Sequence, residues 1–336
     1  MNRSVIILGD ANVDLLIHLP DYHHGSRDLT RSVPQLMGGG TGANTAVALA
    51  RLGVPVSFVG AVGDDGFGRW IQRDFAAENV NTDGLVVLAD AFTPQVIAMV
   101  QPDGERHLVI FPNTGGAHTL HAPAHLNREQ IGAAAWLHTT GMCLRASPVR
   151  ETILEGMRIA KAAGVRTSLD LNLRIELWGY DDSVRATVEE AIRLADVVFG
   201  SGDEEIIPVG GADTIEAAAL RLSTWEGQRT IVARLGERGS LAVAHGLIVR
   251  APAVPVTVVD TIGAGDVFDA GFIAAMLNSA SLNDALAEGN LAAAIKIGRS
   301  GARSAPTREE FKVWKARLSA TSEPEARSSK PKYCEG

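Results

Sequence analysis

Cysteine is almost absent: the 336 residues hold two, Cys143 inside an apolar stretch and Cys334 near the carboxyl end. No disulfide framework is expected, and a reducing cytoplasm fits. The nine histidines show no ligand spacing beyond the adjacent pair His23 and His24, which reads as a solvated loop, so a zinc site lacks donors. Lysine and arginine number 31 against 39 acids, a net charge of -8, with no dense basic run, which argues against a nucleic-acid partner. No stretch approaches the ~18 apolar residues of a membrane span. The Val5 to Leu8 run before Gly9 and Asp10 is too short for a signal peptide. Aromatic residues make up 5%, with three tyrosines and nine phenylalanines, few rings for stacking a base. No lysine follows a glycine run in Walker A fashion, which argues against a P-loop enzyme, and there is no internal repeat.

What is present is a rhythm of short β-branched runs and alanine-rich helical stretches. That is the pattern of an α/β fold in three layers, a mostly parallel sheet with helices on both faces. Strands are predicted at Val5 to Leu8, Val56 to Val59, Trp136 to Thr139, Val165 to Asp170, Val197 to Phe199 and Thr230 to Ala233. Helices are predicted at Asn44 to Leu52, Phe67 to Asn79, Val149 to Ala163, Val184 to Leu194 and Thr214 to Trp225, then from Ala264 through Leu282 to Ile297 and from Arg308 to Leu318. Leu15 to Leu19 and Gln95 to Phe111 break this rhythm, the second with a hairpin signal at Pro102-Asp103-Gly104. They read as a small β-lid inserted at about residues 15–36 and 94–112 of a single 1–318 domain. From about Ser319 the composition turns to Ser, Glu, Pro, Lys and Arg, so 319–336 is expected to be a disordered tail.

Two segments carry chemistry. In Val258 to Phe268, glycine-rich backbone turns into a helix beside an acid, Asp266. Gly263 and Gly265 allow a tight turn and close approach to backbone N–H groups, and the following helix aims orphan donors and the positive end of its dipole at an anion. An acid there can take a proton from an attacking hydroxyl. An ordinary helix start with Asp266 in its first turn would use the same residues. In Gly38-Gly39-Gly40-Thr41-Gly42-Ala43-Asn44, glycines bare backbone amides, and Asn44 offers a donor and an acceptor to hydroxyls. Close helix packing is the plainer reading for Gly38. A dinucleotide fingerprint fits poorly, because Thr45 stands where its third glycine belongs.

Asp260, Thr261, Gly263, Ala264, Gly265, Asp266 and Phe268 together resemble the carboxyl-terminal signature of the PfkB, or ribokinase-like, family of carbohydrate kinases. The Gly39, Gly40 and Asn44 segment resembles that family's amino-terminal signature. The resemblance spans about residues 4 to 310 and implies an ATP-dependent sugar kinase, with Asp266 as base and Gly263, Ala264 and Gly265 as anion hole. It implies Asn12, Asp14, Gly39, Gly40 and Asn44 as sugar ligands. Asp10, Asn12 and Asp14 alternate along an extended chain, so they point to one side; a turn rich in Asx residues would also use Asp10.

Asp170-Leu171-Asn172-Leu173-Arg174 with Leu177-Trp178 is similar to fructokinase and 2-keto-3-deoxygluconate kinase relatives. Arg174 would meet phosphate or a sugar-acid carboxylate, or else a surface acid. Ser201 to Glu204 occupies the place of the family's Asn-x-x-Glu motif, with Ser201 for asparagine. Glu204 would hold Mg²⁺ through water, or the segment would simply cap a helix. Arg234, Gly236 and Gly239 resemble a turn lining the nucleotide site, Arg234 standing where threonine is common, and a strand-turn-strand connection would also use the glycines. Asn290 would lie near adenine or face solvent. Asp260, with carbonyls near Ile262, Arg299 and Gly301, would form the K⁺ site of many relatives. In ribokinase-like enzymes such a lid covers the sugar and often pairs with a second subunit, so the resemblance implies a homodimer. The acceptor stays open between keto-sugar or sugar acid, by Asp170 to Trp178, and ribose, by Asn113 to Ala117. A nucleoside kinase and a sugar-sensing protein that has lost turnover are the alternatives.

Overall fold

The computed structural model describes residues 4–19, 33–101, 103, 105–112 and 115–321. His23, His24, Pro102, Gly104, Asn113, Thr114 and residues 322–336 lie outside them. Among the described residues the main sheet has nine strands in the order Leu247–Ala251, Ser240–Ala244, Thr230–Arg234, Val197–Ser201, Arg166–Asp170, Trp136–Thr140, Val5–Leu8, Val56–Gly63 and Asn81–Leu88. Every pairing is parallel except the two made by Ser240–Ala244, which runs antiparallel to both its neighbours and leaves Leu247–Ala251 at the edge.

Alternate side chains of one strand leave on opposite faces, and each face has its own core. Val5 and Ile7 join the Thr41–Arg51, Gly66–Ala77, Ala264–Leu277 and Leu282–Ile297 helices, whereas Ile6 and Leu8 join Val149–Ala162, Asp182–Leu194 and Ile215–Thr224. A strand buried on both faces needs apolar residues throughout, which is why Val5–Leu8 reads as an unbroken run. Helix starts are set by local acceptors: Asp65, Asp181, Thr214 and Ser281 each accept a backbone N–H of the first turn.

A second sheet of four strands stands apart, in the order Gln35–Gly39, Asn12–His18, Gln95–Val100 and Arg106–Phe111. Its register puts Asn12 opposite Gly39 and Asp14 opposite Met37. It begins at Asn12, three residues earlier than the predicted lid, and includes Gly38 and Gly39, predicted as a glycine loop. The last helix runs from Arg308 to Thr321, so 319–321 are helical rather than part of a tail. Asn81–Leu88 was not foreseen, because Asn81, Asp83 and Gly84 mask its strand pattern.

Candidate active site

Strands Val5–Leu8, Arg166–Asp170 and Val197–Ser201 deliver their carboxyl ends to one crevice, the place where open α/β sheets bind ligands. Directly after Leu8, Asp10 turns toward the Thr41–Arg51 helix. That helix starts at Gly40, whose φ is 94° and whose hypothetical Cβ would lie 2.7 Å from the Asp10 carbonyl oxygen. Gly40 has no side chain to cap the helix, and Asp10 does so from a distance. Its carboxylate accepts from Thr41 N–H at 3.0 Å, Gly42 N–H at 3.1 Å and the Thr41 hydroxyl at 2.9 Å. Asn12 and Asp14 do share a side, the Asn12 amide donating to Asp14 Oδ1 at 2.6 Å. Gly39 faces them, and a Cβ there would sit 2.6 Å from both side chains, so only glycine leaves them room. Burial pushes the Asp14 carboxyl up to about 6, against the pull of the Asn12 bond and the Arg303 charge.

On the other side of the crevice, the Ala264–Leu277 helix starts at Gly263, with φ 78° and no side-chain cap. Asp266, in its first turn, is 6% exposed, and its Oδ2 accepts the Asn44 amide at 2.8 Å. Burial pushes its carboxyl up to about 7; the Asn44 bond and Arg234 oppose this and the charges of Asp170 and Asp10 add to it. Gly263, Ala264, Gly265 and Asp266 line a cavity of about 330 Å³ with Arg174, Ser201, Glu204 and Arg234. An adjoining cavity of about 450 Å³ lies between Asp10, Asn12, the small sheet at Val96 and Ile110, and His118, Arg145 and Trp178. The two meet across the Asp10 to Thr41 hydrogen bonds.

Beneath the Gly263 turn lies a buried charge cluster. Arg234 donates to Asp170 at 2.7 Å and to Asp269 at 2.8 Å, with Glu205 at 3.9 Å. Glu205 in turn accepts the N–H groups of Leu173 at 2.7 Å and Ser201 at 2.8 Å. One guanidinium thus ties the ends of three strands to the helix that carries Asp266. Its guanidinium lies 3.3 Å from where a Cβ on Gly265 would be.

Residues 2–308 match the sequence model of the pfkB family carbohydrate kinases. The chain belongs to this family. It is a carbohydrate kinase, a phosphotransferase with an alcohol acceptor. It is similar to a fructokinase of Klebsiella pneumoniae, 34% identical over 314 residues, which covers 91% of this chain and 96% of that one. An aminoimidazole riboside kinase of Salmonella typhimurium is 31% identical over 310 residues, covering 91% of this chain and 92% of the relative. The crystal structure of a fructokinase with bound ATP from Xylella fastidiosa superposes with a TM-score of 0.82 at 26% identity, covering 95% of this chain and all of that one.

In this pfkB kinase the residues named from the sequence divide into two groups. Asn12, Asp14, Gly39, Gly40 and Asn44 are brought together on one side and Asp266, Gly263, Ala264, Gly265, Arg174, Ser201 and Glu204 on the other, joined by the Asn44 to Asp266 bond. Glu204 is exposed in the cavity, which fits a Mg²⁺ held through water. Arg174 is exposed there too, in a left-handed conformation with φ 48°. Arg234, expected against the nucleotide, has its guanidinium turned inward on Asp170 and Asp269. Gly236, Gly239 and Asn290 are not part of the wall of the Asp266 cavity. Asn290 is buried, not solvent-facing, and donates to the carbonyls of Ala251 at 3.1 Å and Pro252 at 3.0 Å.

Three residues escaped the sequence reading. Arg303 ion-pairs with Asp74, donates to the Gly39 carbonyl at 2.8 Å and reaches Asn44 Oδ1 at 3.4 Å, so it props the end of the Gln35–Gly39 strand and Asn44 from behind. Asp269 and Lys296 are each 0% exposed. Each is the odd charge in an apolar helical run, Val267 to Ala275 and Leu291 to Ile297, a signal that was there to be found.

Proposed function

We propose that this chain transfers the γ-phosphoryl group of Mg·ATP to a hydroxyl of a small sugar or sugar acid. The observation that carries this reading is the 2.8 Å bond between Asn44 and Asp266, which links the sugar-side polar cluster to the uncapped helix start. The sugar's hydroxyls would lie on Asn12, Asp14 and Asn44, with the Gly39 and Gly40 backbone beside them. The terminal phosphate would face the N–H groups of Gly263 to Gly265, which stabilise charge without reorganising. Asn44 holds one Asp266 oxygen and leaves the other for the nucleophilic hydroxyl. Asp266 accepts the hydroxyl proton as the new O–P bond forms and the bond to ADP breaks. Because such a transition state is loose, positioning and charge stabilisation supply most of the acceleration. Bound Mg²⁺, held through Glu204, would supply charge neutralisation on the phosphates.

Arg174, exposed beside both the Asp266 cavity and Trp178, favours an anionic or keto-sugar acceptor. A riboside is the second reading, favoured by the Trp178 and His118 rings in the wall of the lid cavity. Residues 1–318 would form one kinase unit with the four-stranded sheet as its lid. That lid's edge strand leaves Leu108, Val109, Ile110 and Phe111 between 43% and 64% exposed, a surface suited to a homodimer contact. Among the described residues no helix is long and apolar enough to cross a membrane. With its two cysteines, Cys143 buried, the chain suits the cytoplasm.

The test is ADP release from Mg·ATP across fructose, ribose, 2-keto-3-deoxygluconate, other sugars and nucleosides, with Asp266→Ala as control. One acceptor turned over by the wild type and not by the variant is expected. Turnover surviving in the variant would refute the base assignment.

A further inference from the structure

Lysine is rarely buried without a partner, and Lys296, next to last in the Leu282–Ile297 helix, is 0% exposed. Its Nζ donates to the backbone carbonyl of Asp260 at 2.7 Å and lies 3.9 Å from the Asp260 carboxylate. That carboxylate accepts two backbone N–H groups, Ile262 at 3.0 Å and Gly301 at 2.9 Å. The N–H groups of Val259 and Asp260 both reach the Ile297 carbonyl, at 2.9 and 3.1 Å. The segment leading into Gly263 is therefore stapled to the end of the Leu282–Ile297 helix, and Gly263 itself packs on the Ala302 carbonyl.

The K⁺ ion implied by the family would use the Asp260 region for its oxygens. The residues present do not fit it. The Asp260 carbonyl already accepts from the buried Lys296 ammonium, and a second cation placed beside the first would be repelled.

We propose that Lys296 is a built-in cation of this kinase. Its ammonium holds the Asp260 to Gly265 segment in place permanently, so the Gly263 to Gly265 amides are aligned without a monovalent ion. Lys296 is a positioning residue in this account, and the account rests on the phosphoryl-transfer reading of that segment. It sets the enzyme apart from any relative that carries a bare ion at this point.

The test compares K⁺ with tetramethylammonium at constant ionic strength, reading both ADP release and the Kd of Mg·ADP by calorimetry. Wild type is expected to change less than about twofold in either, a factor worth under about 0.5 kcal/mol. Lys296→Ala is expected to lose about 10²-fold in kcat, the cost of misplacing a reacting group by about 1 Å, and to recover part of it with K⁺ or methylammonium. Lys296→Met fills the same volume without charge or room for an ion, and should stay low in either salt. Saturable activation of wild type by K⁺ would overturn the proposal, as would full activity in Lys296→Met. Should Lys296→Ala not fold, Lys296→Met decides alone, its amide exchange over 259–265 expected to quicken relative to wild type. The Mg·ADP measurement needs no acceptor. If no acceptor is ever found, the proposed transfer to a sugar or sugar acid fails, while a salt-independent wild-type Kd that weakens in Lys296→Met would still support the lysine's role.

Discussion

The Thr41–Arg51 and Ala264–Leu277 helices begin in the same way and are finished differently. Each starts at a glycine with positive φ, Gly40 at 94° and Gly263 at 78°, where a side chain would collide with backbone. Each packs on the same face of the main sheet. The first has Asp10 over its end, a carboxylate that satisfies two N–H groups and a hydroxyl. The second has no side-chain cap. A helix terminus closed by the protein's own anion is architecture, and one left bare is set up to receive an anion from outside. Local sequence gives the same glycine signal at both. What differs is whether the fold brings an acid over the end, and Asp10 stands 31 residues before Thr41.

Replacing the acid at the open end should have the largest effect. Asp266→Asn keeps the shape and a bond to Asn44, and should lower kcat by at least about 10³-fold, within the range of a lost general base, while Mg·ADP binding stays close to wild type. Next is the support beneath that end. Arg234→Met would leave Asp170, Glu205 and Asp269 buried without their guanidinium. The expected loss is about 3–5 kcal/mol of stability by urea unfolding. A loss confined to ATP affinity, with stability intact, would instead restore Arg234 to the nucleotide site. Gly263→Ala forces a Cβ to within 2.7 Å of the Ala302 carbonyl oxygen and strains a left-handed turn. It should lower kcat by about 10²-fold, as loss of oxyanion donors does, with a smaller change in melting temperature.

At the closed end the balance should invert. Asp10→Ala removes the cap and should cost about 1–2 kcal/mol of stability, a fall in Tm of several degrees, and raise the sugar KM because Asp10 also lines the lid cavity. If Asp10→Ala lowers kcat as much as Gly263→Ala, the closed end takes part in transfer as the open end does.

Much of this was legible in the sequence, for identifiable reasons. Val5–Leu8 and the Val197 to Phe199 stretch could be read because doubly buried strands are apolar throughout, and the helix start at Asp266 because glycine, acid and helix fall within a few residues. The pairing of Asn44 with Asp266 could not be read, since the partners are 222 residues apart and only the three-layer packing joins them. The inward ion pairs of Arg234 could not be read, because its partners Asp170, Glu205 and Asp269 come from separate elements. Asp10 reads locally as part of an Asx turn, and its partner is the Thr41 helix start. Gln35–Gly39 was hidden because paired glycines signal a loop, whereas here Gly38 makes room for Arg303 and Gly39 for Asn12 and Asp14.

The smallest effect expected is one of proton occupancy, and it separates the open end's chemistry from its stability. Asp266 must be ionised to act as base, and its carboxyl titrates at about 7. The kcat/KM of the free enzyme should rise about tenfold per pH unit up to about 7 and then level, each pK unit being 1.36 kcal/mol. Asp14, at about 6, should steepen the lower limb if its ionised form accepts the sugar hydroxyls. Stability should move the opposite way. Both acids bind protons more tightly folded than unfolded, where a carboxyl titrates near 3.8. Their contribution is therefore complete below about pH 4 and is lost as pH rises through 6 and then 7. In Asp266→Asn the part of that loss between 6 and 7 should vanish while the part from Asp14 remains. A Tm profile unchanged by Asp266→Asn would mean that Asp266 is ionised throughout. The base would then be ready at every pH, and the rise in rate would have to come from Asp14.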